Sequence, residues 1–261
     1  MKVPIFRLDA FTARRFRGNP AAVMRFDTFP PDTVLQAIAA ENNLSETAFL
    51  SGGDGEYRLR WFTPTVEVPL CGHATLASAA VVLERFEPAR GAVAFQTASG
   101  PLFVRRTEAG FAMDFPGCPT EPVPVPAGLA AALGAEPAEV RVSPHNYLVV
   151  LDTEATVRSL EPDMGQIRQL QRVGVIVTAQ GTGEYDLVSR YFTPARGVPE
   201  DPVTGSAHCA LAPFWAQRLG KAELRAYQAS PRGGEMVCRV RDPRVELEGA
   251  CVFFCEGAAE I

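Results

Sequence analysis

Two stretches half a chain apart repeat the same order of residue types. The first runs Arg60-Trp61-Phe62-Thr63-Pro64, then Glu67, then Cys71-Gly72-His73-Ala74-Thr75. The second runs Arg190-Tyr191-Phe192-Thr193-Pro194, then Glu200-Asp201, then Gly205-Ser206-Ala207-His208. The offset is 130 residues between the arginines and 133 between Gly72 and Gly205, in a chain of 261. A weaker echo relates Asn19-Pro20-Ala21-Ala22-Val23 to Asn146-Tyr147-Leu148-Val149-Val150. A period near half the length predicts duplicated domains, whereas solenoid repeats recur every ~20–50 residues.

A seam between the copies is legible as well. Pro116, Pro119, Pro122, Pro124 and Pro126 crowd one stretch. Proline lacks an N–H and fixes φ, so the stretch is predicted to stay out of sheet interiors and run extended. The expected domains are 1–116 and 128–261, joined by a crossing at 117–127. Tyr57, Leu59 and Trp61 alternate with Arg58 and Arg60, as in a half-buried strand, and pair with Phe49-Leu50 across a turn at 51–55. A second hairpin is expected at 102–115, and further strands at 237–240, 245–247 and 251–254. Pro31 to Asn43 reads as a helix with Asp32 at its positive end.

Ala74–Phe86 and Ala207–Leu219 are apolar almost all round, and a helix without a polar face is buried on every side. Each half is therefore expected to wrap a sheet around one central helix that starts at the Gly-His or Gly-Ser motif. Pro213 is expected to kink or shorten the second helix.

Composition narrows the partners. With 25 Lys+Arg against 30 Asp+Glu the net charge is −5, and Arg14, Arg15 and Arg17 form the one basic cluster, a poor footprint for nucleic acid. No apolar run reaches about 18 residues, so no bilayer span is expected. The first residues, MKVPIFRLDAF, do not resemble a signal peptide, and six cysteines without one point to a reduced, cytoplasmic protein. Cys251 and Cys255, four apart in a strand, lie roughly 13 Å apart, too far for a disulfide.

A helix N-terminus offers free N–H groups and partial positive charge, and glycine there lets a ligand approach the backbone. Two such termini could hold a substrate carboxylate in a cleft and stabilise charge developing on it during C–H deprotonation. The alternative is that small residues merely begin two buried helices. Glu46, between a helix end and an apolar strand, is either a partly desolvated base with a raised pKa or a surface residue at a strand start. Asp201 is the matching acid or an ordinary loop aspartate. His73 is a proton-handling imidazole or a packing group. His208 reads as structural, and His145 has no assignment.

Beyond these separate readings, the combination of Asn43-Leu44-Ser45-Glu46-Thr47, Cys71-Gly72-His73-Ala74-Thr75 and Glu200-Asp201-Pro202-Val203-Thr204-Gly205-Ser206-Ala207-His208 resembles the PhzF-like isomerases of phenazine biosynthesis, within the diaminopimelate epimerase superfamily. The resemblance runs from Phe11-Thr12 and Gly18-Asn19-Pro20 to Arg232-Gly233-Gly234 and the final strands. It implies an α+β fold of two pseudo-symmetric domains, each a curved, mainly antiparallel sheet around a central helix, with the active site between them. It places the catalytic glutamate at Glu46, its histidine partner at His73 and its acidic partner at Asp201. Gly72, His73, Ala74 and Thr75, with Gly205, Ser206, Ala207 and His208, match the segments that hold the substrate carboxylate. It implies no metal, no organic cofactor and a homodimer. Phenazine-pathway members isomerise trans-2,3-dihydro-3-hydroxyanthranilate by moving a proton between ring carbons.

The epimerase branch uses two cysteines as acid and base. Cys71 stands at the first of those places but Thr204 at the second, and a threonine hydroxyl is too weak a base, so two-cysteine racemisation is disfavoured and Cys71 reads as packing. A metal-dependent hydrolase built from Cys71, His73, His208 and Cys209 lacks zinc-site spacing. A serine hydrolase using Ser206 lacks the G-x-S-x-G elbow. A small-carboxylate-binding protein without turnover would not need Glu46, His73 and Asp201 together.

Overall fold

A computed structural model describes residues 1–261, and the chain separates into two compact units. The first contains β1 (Lys2–Ala10), β2 (Asn19–Arg25), α1 (Asp32–Asn42), β3 (Glu46–Gly53), β4 (Glu56–Phe62), β5 (Glu67–Val68), α2 (Gly72–Val81), β6 (Ala92–Thr97), β7 (Gly100–Arg106) and β8 (Phe111–Pro116). The second contains β9 (Glu121–Pro122), α3 (Leu129–Leu133), β10 (Glu139–Val142), β11 (Asn146–Val150), α4 (Glu154–Ser159), α5 (Met164–Arg168), β12 (Gly174–Gln180) and β13 (Leu187–Thr193). It continues with β14 (Val198–Glu200), α6 (Gly205–Leu219), β15 (Glu223–Gln228) and β16 (Gly234–Arg241), and β17 (Arg244–Gly249) runs from the second unit back into the first.

The final strand, β18 (Cys251–Glu260), pairs antiparallel with β1, from Lys2↔Glu260 to Ala10↔Cys251. Residues 247–261 thus belong to the first unit and the proline-rich crossing to the second, which corrects the expected division at 128–261. The reason is hydrogen bonding, which chain order does not display. Strand β1 needs a partner on the side away from β2, and β18 supplies it. The crossing is not a bare linker: β9 pairs with β10, and Val123 N–H reaches Val140 O at 2.9 Å.

The two units repeat one topology. In the first, β1–β2 and β3–β4 are antiparallel, whereas β2–β3 and β4–β6 are parallel, crossing over through α1 and α2. In the second, β10–β11 and β12–β13 are antiparallel, whereas β11–β12 and β13–β15 are parallel, crossing over through the α4–α5 stretch and α6. Parallel neighbours require long crossovers, which is where each buried helix comes from. Helix α2 lies against β1, β2, β3, β7 and β18, with every residue from His73 to Val81 buried, and then widens into a π turn at Val82–Phe86.

Helix α6 runs unbroken through Pro213, against expectation. Proline there removes the bond to the carbonyl of Cys209, four residues earlier. That carbonyl accepts instead from Cys118 N–H in the proline-rich crossing, at 2.9 Å. No helix is long and apolar enough to cross a membrane.

Candidate active site

Parallel pairing of β2 and β3 brings both strand starts to one end of the first unit, with Ala21 opposite Glu46. Alternation along β3 then sorts the side chains. Thr47 accepts from Asn42 Nδ2, and Phe49 packs with Leu35 and Ala39, so that face looks toward α1. Glu46, one residue earlier, points the other way, toward α2. Gly18, at φ +64°, makes the approach to β2 possible: a Cβ there would lie 2.2 Å from Ala10 O. It delivers Asn19, fully buried, to the same end.

His73 sits in the first turn of α2 and meets both strand starts. Its Nε2 lies 3.4 Å from Glu46 Oε2, and its Nδ1 lies 3.2 Å from Asn19 Nδ2 and 3.5 Å from Cys71 Sγ. Burial lowers the His73 pKa to about 3, with a hydrogen bond to the Pro20 backbone acting weakly the other way. The ring is therefore neutral at physiological pH, and its contact with Glu46 is carboxylate to neutral imidazole, not an ion pair. Asn19 Nδ2 can donate to Nδ1, whereas Nε2 approaches the carboxylate without the geometry of a hydrogen bond. Glu46 keeps 19% of its side chain exposed against 5% for His73, so the carboxylate is the member of the pair a small molecule can touch.

In the second unit Arg190 on β13 binds Glu200 on β14 through two bonds, at 2.8 and 2.9 Å, and donates to Leu160 O at 2.7 Å. Of the adjacent acids Glu200 and Asp201, the first is thereby spent on scaffolding. Asp201, half-buried, accepts from Thr204 Oγ1 instead. Thr204 precedes α6, whose first residues are Gly205, exposed Ser206 and buried Ala207.

The expected carboxylate-holding residues fall into two kinds. Gly72, His73 and Ala74, like Gly205, Ser206 and Ala207, occupy first-turn positions whose N–H groups have no carbonyl four residues back. Thr75 and His208 are turned inward: Thr75 Oγ1 donates to Cys71 O at 2.6 Å, and His208 Nδ1 to Thr204 O at 2.8 Å. The scaffold reading of His208 matches this geometry. His145 is exposed in a turn where its carbonyl accepts from Val173 N–H.

Glu46, Cys71 and His73 place possible metal-ligand atoms within 4.8 Å of one another. The carboxylate faces Nε2, however, while the thiol faces Nδ1. Residue order alone does not single out Asn19 as the His73 partner, although Gly18-Asn19-Pro20 lies within the family resemblance, nor Gln228, whose amide holds Thr204 N–H and Asp201 O and which carries no motif.

Comparison with known proteins follows the same lines. Residues 8–257 match the family of phenazine biosynthesis-like proteins. The chain is 51% identical to an uncharacterised isomerase of Pseudomonas aeruginosa, covering 100% of both chains. It superposes on a crystal structure of a PhzF-family phenazine biosynthesis protein from Enterococcus faecalis with a TM-score of 0.97, at 44% identity and 100% coverage of both. In fold alone it is similar to a hydroxyproline epimerase from Agrobacterium vitis, with a TM-score of 0.62 at 8% identity over 98% of this chain and 92% of that one.

Proposed function

This chain belongs to the phenazine biosynthesis-like family, and from that membership we propose that it is a cofactor-independent isomerase acting on a small carboxylate. Glu46 removes a proton from a carbon conjugated with the substrate carboxylate and returns it to another carbon of the same system, so no atom is gained or lost. His73, neutral, stands beside Glu46 and limits the directions its carboxylate can take. Asp201 is the acidic partner. First-turn N–H groups of α2, beside Glu46, take the carboxylate and the charge that builds on it. The substrate class is cyclic and unsaturated, of the trans-2,3-dihydro-3-hydroxyanthranilate type.

One observation carries the reading: a partly exposed carboxylate set 3.4 Å from a buried neutral imidazole at a helix N-terminus. A base needs access to the substrate and a fixed direction, and the arrangement supplies both. The test is solvent-deuterium incorporation into a panel of cyclic and amino carboxylates that includes trans-2,3-dihydro-3-hydroxyanthranilate. Wild-type protein is expected to exchange at least one C–H. Glu46→Gln, which keeps the size and removes the base, is expected to lower that rate by about 10²–10⁴-fold. Exchange by the variant at the wild-type rate would refute the role of Glu46, and inertness across the panel would favour a binding protein.

A further inference from the structure

Thr204 is the N-cap residue of α6, yet its side chain caps nothing. An N-cap threonine ordinarily accepts from an N–H in the first helical turn. Here the hydroxyl donates to Asp201 Oδ2 and lies 3.2 Å from Gln228 Nε2. Gln228 ends β15 at 1% exposure and spends both ends of its amide on the same loop. Its Oε1 accepts from Thr204 N–H at 2.8 Å, and its Nε2 donates to Asp201 O at 2.7 Å. An amide N–H can only donate and a carboxylate only accept, so the hydroxyl between them has one orientation: it accepts from Gln228 and gives its proton to Asp201. Ser230 Oγ ties down the intervening Pro202 O at 2.8 Å.

We infer that Thr204 and Gln228 are positioning residues for Asp201, a one-way chain of donors that fixes which direction the carboxylate faces. The inference rests on the reading of Asp201 as the acidic partner. A carboxylate on a short loop has free torsions, and misaiming by an ångström is costly in catalysis. Thr204 and Gln228 remove that freedom without touching the substrate themselves. The loss on breaking the chain should therefore fall on kcat rather than KM.

The experiment compares Thr204→Val, Thr204→Ser and Asp201→Asn, by deuterium exchange into trans-2,3-dihydro-3-hydroxyanthranilate and by thermal unfolding. Thr204→Val is expected to lower kcat by about 10- to 100-fold, the effect of one hydrogen bond to a charged group, with KM changed less than about threefold. Thr204→Ser restores the rate because it restores the donor, and adding Thr204→Val to Asp201→Asn does no further harm. If the valine variant fails to fold, Thr204→Ala, which needs no extra space, replaces it.

Full kcat in Thr204→Val beside a defective Asp201→Asn would overturn the positioning role alone. Full kcat in Asp201→Asn would overturn the reading of Asp201 and the chain's catalytic role with it. Independently of any substrate, the side-chain amide protons of Gln228 should exchange slowly in wild type and Thr204→Ser, and faster in Thr204→Val. Identical exchange in all three would refute the chain itself.

Discussion

At the scale of single residues, burial decides the protonation state of the histidines. His73 and His208 are both buried, and their pKa values fall to about 3 and about 4. Both stay neutral in the folded protein down to those values, whereas in the unfolded chain they take up protons below about 6.5. The unfolded state therefore binds more protons across that window, and stability falls as pH falls through it. Each histidine contributes a slope of about 1.4 kcal/mol per pH unit between roughly pH 6 and its folded pKa. Denaturant titrations at stepped pH should show the decline, and His208→Asn, which keeps a donor for Thr204 O, should remove the His208 share. A slope unaltered by that substitution would mean carboxylates alone carry the acid sensitivity. Glu46 was legible as a candidate base from its place at a strand start. Its partner's neutrality was not, because desolvation depends on β2, β3 and α2 closing around the ring.

At the scale of elements, the repeated Arg…Glu pattern turns out to be one device with two strengths. Arg60 grips Glu67 through bonds of 2.8 and 2.7 Å, as Arg190 grips Glu200. The side chains of the first pair are 21% and 39% exposed, those of the second 10% and 13%. Arg190→Met strands a mostly buried carboxylate and should cost up to about 3–5 kcal/mol. Arg60→Met should cost far less, because Glu67 can be hydrated; thermal unfolding of the two variants decides it. Arg190→Met should also lose activity, since β14 leads directly into Asp201. The repeat is broken where chemistry differs. Counting from Phe62, opposite Thr47, and Phe192, opposite Val175, the counterpart of Glu46 is Gly174. A Cβ there would lie 2.5 Å from the Tyr191 hydroxyl, which bonds to Asn146 Oδ1. Gly174→Ala is therefore expected to lower the melting temperature by displacing Tyr191; an unchanged melting curve would count against this packing.

At the scale of the whole chain, closure of the first unit depends on residues from its far end. Removing 251–261 takes away the partner of β1 along its full length. The truncated protein should lose amide protection in β1 and β2 while the second unit keeps its own, as hydrogen exchange resolved by segment would show. Loss confined to the second unit would contradict the pairing. Duplication, the buried central helices, the hairpins and the motifs bearing Glu46, His73 and Asp201 could all be read from residue order, because periodicity and glycine or proline placement are local signals. The ownership of β18, the docking of the crossing and the rescue of Pro213 by Cys118 could not. Each depends on which backbone groups find partners far away in the chain, and hydrogen-bonding need leaves no pattern in the residues that satisfy it.

The division between the two sources of information follows from that physics. Side-chain type and spacing set what each segment can become and which groups are able to move a proton. Only packing in three dimensions makes His73 a neutral neighbour of Glu46, commits Glu200 to Arg190, and turns Thr204 and Gln228 toward Asp201. Desolvation and hydrogen-bond direction are properties of neighbours, and neighbours are settled by folding.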